Sequence, residues 1–147
     1  HIGDSIDQNT HETSKNMNFI LSGHGKAIFD GKEVANGVIF IKSQKDFNTV
    51  IDVTKRIGYE CKKRLLNVNY WFLDASGETG VQRKTINQFL DEMANKNINL
   101  IVLRTLNDIS DDPIEKEAFL SVMKENEVGV YLFDEGCFAA VNYDYEC

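Results

Sequence analysis

Four short apolar runs recur along the chain, with one longer amphipathic stretch between each successive pair. The runs are Val38–Ile41 (VIFI), Val68–Leu73 (VNYWFL), Ile98–Leu103, broken by Asn99, and Val128–Phe133 (VGVYLF). Between them, Asp46–Leu66 carries Phe47, Val50, Ile51, Val53, Ile57 and Leu65. Gln82–Asn95 carries Ile86, Phe89, Leu90 and Met93, and Pro113–Asn126 carries Ile114, Phe119, Leu120 and Met123. Those positions follow the 3.6-residue period of a helix with one buried face. Strands that alternate with helices in this way form βαβ units. The crossovers of such units lay helices over a parallel sheet. The chain is therefore expected to be a three-layer α/β protein, its sheet mostly parallel and covered by helices on both faces.

The N-terminal part follows a different pattern. Residues 17–36 read as short strands with turn signals. In AIFDGKEV the Asp30–Gly31 pair between two short runs is a two-residue hairpin signal. This hairpin is expected to pack on an edge of the main sheet or to carry an interface. Residues 1–16 are polar and aperiodic and read as a disordered tail, in which His1 and His11 have no partner cluster for a metal. The expected plan is thus a single α/β domain over residues 17–147. It comprises the hairpin extension at 17–36, a core at 37–136, and an acidic ending at 137–147 that could add one short strand.

Charge and cysteine content narrow the function. The 147 residues carry 16 basic and 23 acidic side chains, a net charge of −7. That balance works against broad attraction to nucleic acid or an anionic membrane, where Lys and Arg must neutralise phosphate. No apolar run approaches the roughly 20 residues that span a bilayer, and the first sixteen residues lack the apolar core of a secretory signal. Cys61, Cys137 and Cys147 are odd in number and show no CxxC spacing. A disulfide framework or zinc site is therefore not expected, and a cytoplasmic setting is the default.

In an open α/β sheet the chemistry gathers past the carboxyl ends of the strands, so the loops there hold the candidates. The run after Leu103 is crowded with Asp108, Asp111, Asp112 and Glu115. These oxygens could gather magnesium or calcium, but the DxDxDG signature is absent. Helix capping accounts for their order as well as their charge, with Asp112 as N-cap, Pro113 at the first helical position and Glu115 at the third. Ser76–Gly80 has the glycines of a flavodoxin-like phosphate loop but follows the second core strand. Ser22–Gly25 lacks the GK[ST] ending of a P-loop. No cofactor or metal is assigned to either.

Residues 38–135 resemble the N-terminal catalytic domain of serine recombinases, the resolvase–invertase family. Ile39-Phe40-Ile41-Lys42-Ser43 stands where that family has Tyr-x-Arg-x-Ser at the end of its first strand. Asp74-Ala75-Ser76-Gly77, followed by Arg83-Lys84-Thr85-Ile86, stands for Asp-x-x-Ser-Gly and an arginine-led helix start. Leu106–Asp111 stands for Leu-Asp-Arg-Leu-x-Arg. The resemblance implies a resolvase-like sheet with Ser43 as the nucleophile that would link to a DNA phosphate, without metal, and Arg83 as a supporting cation.

The rest of that charge cluster is missing from this sequence. Ile41 stands for the strand arginine, and Lys42 points to the opposite strand face. Asp108 and Asp111 stand for two further arginines. Phosphoryl transfer needs preorganised donors for its growing negative charge, and losing one good donor costs roughly 100- to 1,000-fold in rate. The expectation is a degenerate, catalytically inactive domain with a structural, regulatory or protein-interaction role, partnered by protein or by itself. Ser43 would then be the N-cap of the following helix, and Arg83 a salt-bridge residue. Two alternatives stay open. One is an active DNA recombinase using Ser43, with Arg104 as the nearest spare cation. The other is a flavodoxin-like small-ligand or metal-binding domain using Asp74–Gly80 and Asn107–Asp112.

Overall fold

The computed structural model describes residues 2–3, 27–29, 32–34 and 36–140. Its elements in chain order are β1 (Ile2–Gly3), β2 (Ala27–Phe29), β3 (Lys32–Val34), β4 (Gly37–Lys42) and α1 (Phe47–Lys63). There follow β5 (Val68–Asp74), α2 (Lys84–Asn95), β6 (Leu100–Leu103), a 3₁₀ turn (Leu106–Asp108), α3 (Pro113–Glu125), β7 (Gly129–Leu132) and β8 (Cys137–Ala140). One six-stranded sheet has the order β1-β5-β4-β6-β7-β8. Its four central strands are parallel, and β1 and β8 close the edges in antiparallel pairing.

The alternation of side chains along each strand divides the core into two layers. Val38 and Phe40 of β4 join Tyr70, Phe72, Ile101 and Leu103 beneath α2 and α3, where Phe89, Met93, Phe119 and Met123 meet them. Ile39 and Ile41 face the other way, with Trp71, Leu73, Leu100 and Val102, beneath Val50, Ile51, Ile57 and Cys61 of α1. In the first layer Phe40 stacks on Phe72 at 5.4 Å, and Phe89 packs edge-on against both. The three-layer α/β arrangement expected from the alternation is the one observed.

The three described α-helices end in the same manner, without glycine. Leu65, Asn97 and Glu127 adopt positive φ. The following amides, of Leu66, Ile98 and Val128, return to the carbonyls of Cys61, Met93 and Met123. This is the six-to-one bond of a Schellman closure. Each of Leu66, Ile98 and Val128 is buried, so the apolar contact after the helix holds the left-handed residue in place.

The N-terminal segments depart from the sequence reading in two respects. β2 and β3 pair as the expected hairpin, Phe29 opposite Lys32, but they form a two-stranded sheet of their own and do not extend the main one. Ile2–Gly3, within the stretch read as a tail, pairs with Phe72 and Trp71 on the edge of β5. The turn at Asp30–Gly31, the Ser22–Gly25 run, both tail histidines and residues 141–147 lie outside the described residues. Cys61 is a free, buried thiol, whereas Cys137 is disulfide-bonded. The expectation that the cysteines form no disulfide is therefore overturned at Cys137, and with it the cysteine argument for a reducing compartment.

Candidate functional site

Strand β4 has β5 on one side and β6 on the other. The chain thus leaves β4 in one direction and later returns to its opposite flank. The carboxyl ends of β4 and β6 form the switch point at which open α/β sheets leave a crevice. Ser43 follows β4, Arg104 follows β6, and the Asp74–Gly80 loop follows β5.

Ser43 is half-buried at this crevice. Its amide donates to the Asp74 carbonyl at 3.0 Å, and its Oγ accepts from the Lys45 amide at 3.2 Å. Together with Lys42, Gln44 and Gly77 it lines a cavity of about 240 Å³. The expected capping role is not the observed one. Helix α1 starts at Phe47, and its N-cap is Asp46, whose Oδ2 accepts from the Thr49 amide at 3.1 Å. Ser43 lies too far ahead to reach the first turn, so its hydroxyl closes a local turn instead.

Arg83 is not at the surface. Its side chain retains 2% of its exposure and that of Asp74 none, and Nε donates to Asp74 Oδ2 at 2.7 Å. Nη1 donates to the carbonyls of Gly80 and Ile109 at 2.8 and 2.5 Å, and Nη2 to the carbonyl of Asp108 at 2.6 Å. One guanidinium thus ties the loop after β5 to the turn after β6. Burial by itself would raise the Asp74 carboxyl. The hydrogen bonds from Ser76 and Arg83 outweigh it and hold the group below its ordinary range.

Arg104 is the second guanidinium at this end of the sheet. Its Nη2 donates to the Lys42 carbonyl at 2.8 Å and to Asp108 Oδ2 at 3.2 Å, and its Nε lies 3.3 Å from the same Oδ2. The Lys42 amide also points at that oxygen, at 3.4 Å. Burial pushes the Asp108 carboxyl up, and Arg104 and Lys42 oppose the rise without cancelling it. Asp111 is exposed. Of the two loop aspartates Asp108 and Asp111, therefore, Asp108 alone is turned into this cluster.

The acidic helix start is a cap, as its residue order implied, but with one substitution in the wiring. Asp112 Oδ1 accepts from the Ile114 amide at 2.9 Å, and Pro113 opens the helix. Glu115 does not reach back to the Asp112 amide. That amide donates to Ser110 Oγ at 3.0 Å, and Ser110 Oγ donates to Glu115 Oε1 at 2.7 Å. The same Oε1 takes the Val81 amide at 3.1 Å, which fastens the loop after β5 to α3.

The glycine loop Ser76–Gly80 has little left for a phosphate. The Ser76 amide donates to Asp74 Oδ1, the Glu78 amide to Ser76 Oγ, and Gln44 lies where a Cβ on Gly77 would go. Among the described residues no three His, Cys, Asp or Glu side chains come together as a metal-binding group. No described helix is long and apolar enough to cross a membrane.

No protein-family model matches the sequence, and no curated protein does. Solved structures do share its shape. The N-terminal catalytic domain of TP901-1 integrase superposes with a TM-score of 0.59 at 12% identity, over 71% of this chain and 82% of that one. The fold is that of the serine-recombinase catalytic domain. A resolvase-family site-specific recombinase from Streptococcus pneumoniae agrees, with a TM-score of 0.57 at 10% identity, over 71% of this chain and 75% of that one. Within this resolvase-type fold Ser43 and Arg83 occupy adjoining loops. The structure commits Arg83 to protein acceptors, and it adds Asp74 and Asp108 as the partners that sequence reading left unassigned. Nothing local in the sequence marks Asp74 as the counter-ion of Arg83, nine residues away.

Proposed function

We propose that this chain is a resolvase-type domain that no longer transfers phosphoryl groups and acts as a structural, regulatory or protein-interaction module. The observation that carries the reading is the state of the two guanidinium groups at the switch point. Arg83 spends its donors on Asp74 and three carbonyls, and Arg104 is paired with Asp108. Catalysis by Ser43 would require positive donors free to meet charge developing on a phosphate. A carboxylate beside them repels the same anion. The domain plan belongs to this reading as well, with residues 17–36 as an extension to a core at 37–136. The partner would then be a protein or a second copy, with DNA contact carried only by the likeness of fold.

The test is covalent trapping on a nicked duplex, with Ser43→Ala as control. No protein–DNA adduct is expected from either protein. An adduct that forms with the wild type and disappears with Ser43→Ala would establish the alternative, an active recombinase using Ser43 as nucleophile.

A further inference from the structure

Helix α1 concentrates positive charge in a chain that is acidic overall. The ten positions from Lys55 to Arg64 hold five of the 16 basic residues and one acidic residue, Glu60, against a net charge of −7. Helical spacing gathers four of the five on one face. Lys55 and Arg56 precede Tyr59 by four and three residues, and Lys62 and Lys63 follow it by three and four. Those are the positions that become neighbours on a helix surface. Tyr59 and all four cations are exposed. Tyr59 retains 62% of its exposure, and Lys63 Nζ lies 4.6 Å from its ring centre. Leu65, just past the end of α1, is exposed at 66%.

Helix stability accounts for only part of this charge. The macrodipole favours cations in the last turn and fades beyond it. That covers Lys62 and Lys63 but not Lys55 and Arg56, which lie further back. The charge is not neutralised internally either. Lys63 pairs with Glu60 at 3.4 Å, whereas Lys55, Arg56 and Lys62 enter no ion pair among the described residues. Arg64 is engaged elsewhere, donating from Nη1 to Tyr131 Oη at 2.7 Å and lying over the Phe133 ring at 4.7 Å. The opposite face of α1 is packed on the sheet through Val50, Ile51, Ile57 and Cys61. What α1 offers to solvent is therefore a ring of cations around one aromatic side chain.

We propose that the Tyr59 face of α1 is a docking surface for a short acidic segment of a partner protein. Asp and Glu side chains of that segment meet Lys55, Arg56, Lys62 and Lys63, and Tyr59 supplies a contact surface between them. Two other anions fit less well. A nucleic-acid strand would run beyond this face along a chain of net charge −7. An anionic membrane takes up an amphipathic helix through its apolar face, and that face of α1 is already buried. The proposal gives the protein-interaction reading its partner chemistry. Covalent trapping tests Ser43 and peptide binding tests this surface, so each can fail without the other.

The experiment measures fluorescence anisotropy of labelled oligoglutamate titrated with the full chain, with oligoglutamine, oligothymidylate and phosphatidylserine vesicles as parallel arms. Oligoglutamate is expected to bind more tightly than the other three and to weaken with added salt. Lys55→Glu combined with Lys62→Glu is expected to weaken it by about ten-fold or more, since like charges then face each other. Lys84→Glu combined with Lys124→Glu makes the same change in net charge on α2 and α3, and is expected to leave affinity within about two-fold. Equal losses in the two double variants would overturn the proposal, as would oligoglutamate binding no better than oligoglutamine. Tighter binding of oligothymidylate or of the vesicles would overturn it in favour of that partner. If a double variant does not fold, the Tyr59 ring resonances of the wild type decide. Their movement on adding oligoglutamate supports the surface, and unmoved resonances overturn it.

Discussion

Arg83 and Asp74 meet at 2.7 Å with both side chains sealed from solvent, and the other donors of Arg83 tie the loop after β5 to the turn after β6. Breaking a buried pair by removing one partner leaves an uncompensated charge, at a cost of roughly 3–5 kcal/mol. Arg83→Ala is expected to lose stability in that range by urea denaturation, with the added loss of its hydrogen bonds to Gly80, Asp108 and Ile109. An effect below about 0.5 kcal/mol, the range of ordinary surface substitutions, would contradict the role assigned here.

Acid stability should report on the same pair. The Asp74 carboxyl titrates lower in the folded chain than its ordinary value, so the unfolded chain binds its proton first as pH falls. Its contribution is present above the ordinary carboxylate range and is lost as pH drops through the lowered folded value. Asp74→Asn should therefore be less stable at neutral pH and show a shallower acid limb in melting temperature against pH. Asp108 carries the opposite sign. Its raised carboxyl favours the folded state at low pH and loses that advantage as pH rises through its folded value, so Asp108→Asn should remove this opposing slope.

The two candidate caps of α1 separate cleanly by mutation. Asp46→Ala removes the acceptor for the Thr49 amide and should lower the denaturation midpoint measurably, as loss of an N-cap does. Ser43→Ala should stay within about 0.5 kcal/mol, since its hydroxyl serves a local turn. Chemical denaturation of the two variants, with equal losses in both, would restore Ser43 to the capping role.

Burial inside the α1 layer pushes the Cys61 thiol up to about 12, with Arg64 opposing the shift and Glu60 adding to it. The thiolate is the reactive form, so Cys61 should resist maleimide at pH 8 in the native protein and react fully in denaturant. Mass spectrometry of the Cys61 peptide checks this, and rapid native labelling would show that α1 opens readily.

Glu127 ends α3 at a φ of 59°, a conformation that costs an L-residue roughly 1–2 kcal/mol. Glu127→Gly should raise stability by about 1 kcal/mol in thermal melts, because glycine adopts it freely. A loss would mean that the Glu127 side chain compensates for its own backbone.

Much of the fold was legible because strand and helix patterns are short-range. Alternating burial along VIFI and the 3.6-residue spacing of Ile86, Phe89 and Met93 need only neighbours in the chain to be recognised. The helix ends were less so. Leu65 and Glu127 take a conformation usually marked by glycine, and the buried Leu66 and Val128 that stabilise it count only once the layers have formed. Asp112 as a cap was readable, since its partner amide is two residues away. Ser110 as the intermediary for Glu115 was not, because that role appears only when the turn after β6 folds back on α3.

By itself, then, the sequence determined the alternating elements, the layers they must form and the loops in which an active site would lie. The tertiary structure decided what those loops do. Strand order brought Arg104 to Lys42 across 62 residues of chain, and Arg83 to the carbonyl of Ile109 across 26. Periodicity carries no information about such meetings, because hydrogen bonds between loops depend on which strand ends become neighbours. Only the folded chain shows that Arg83 and Arg104 are already bound to acids and carbonyls of their own protein.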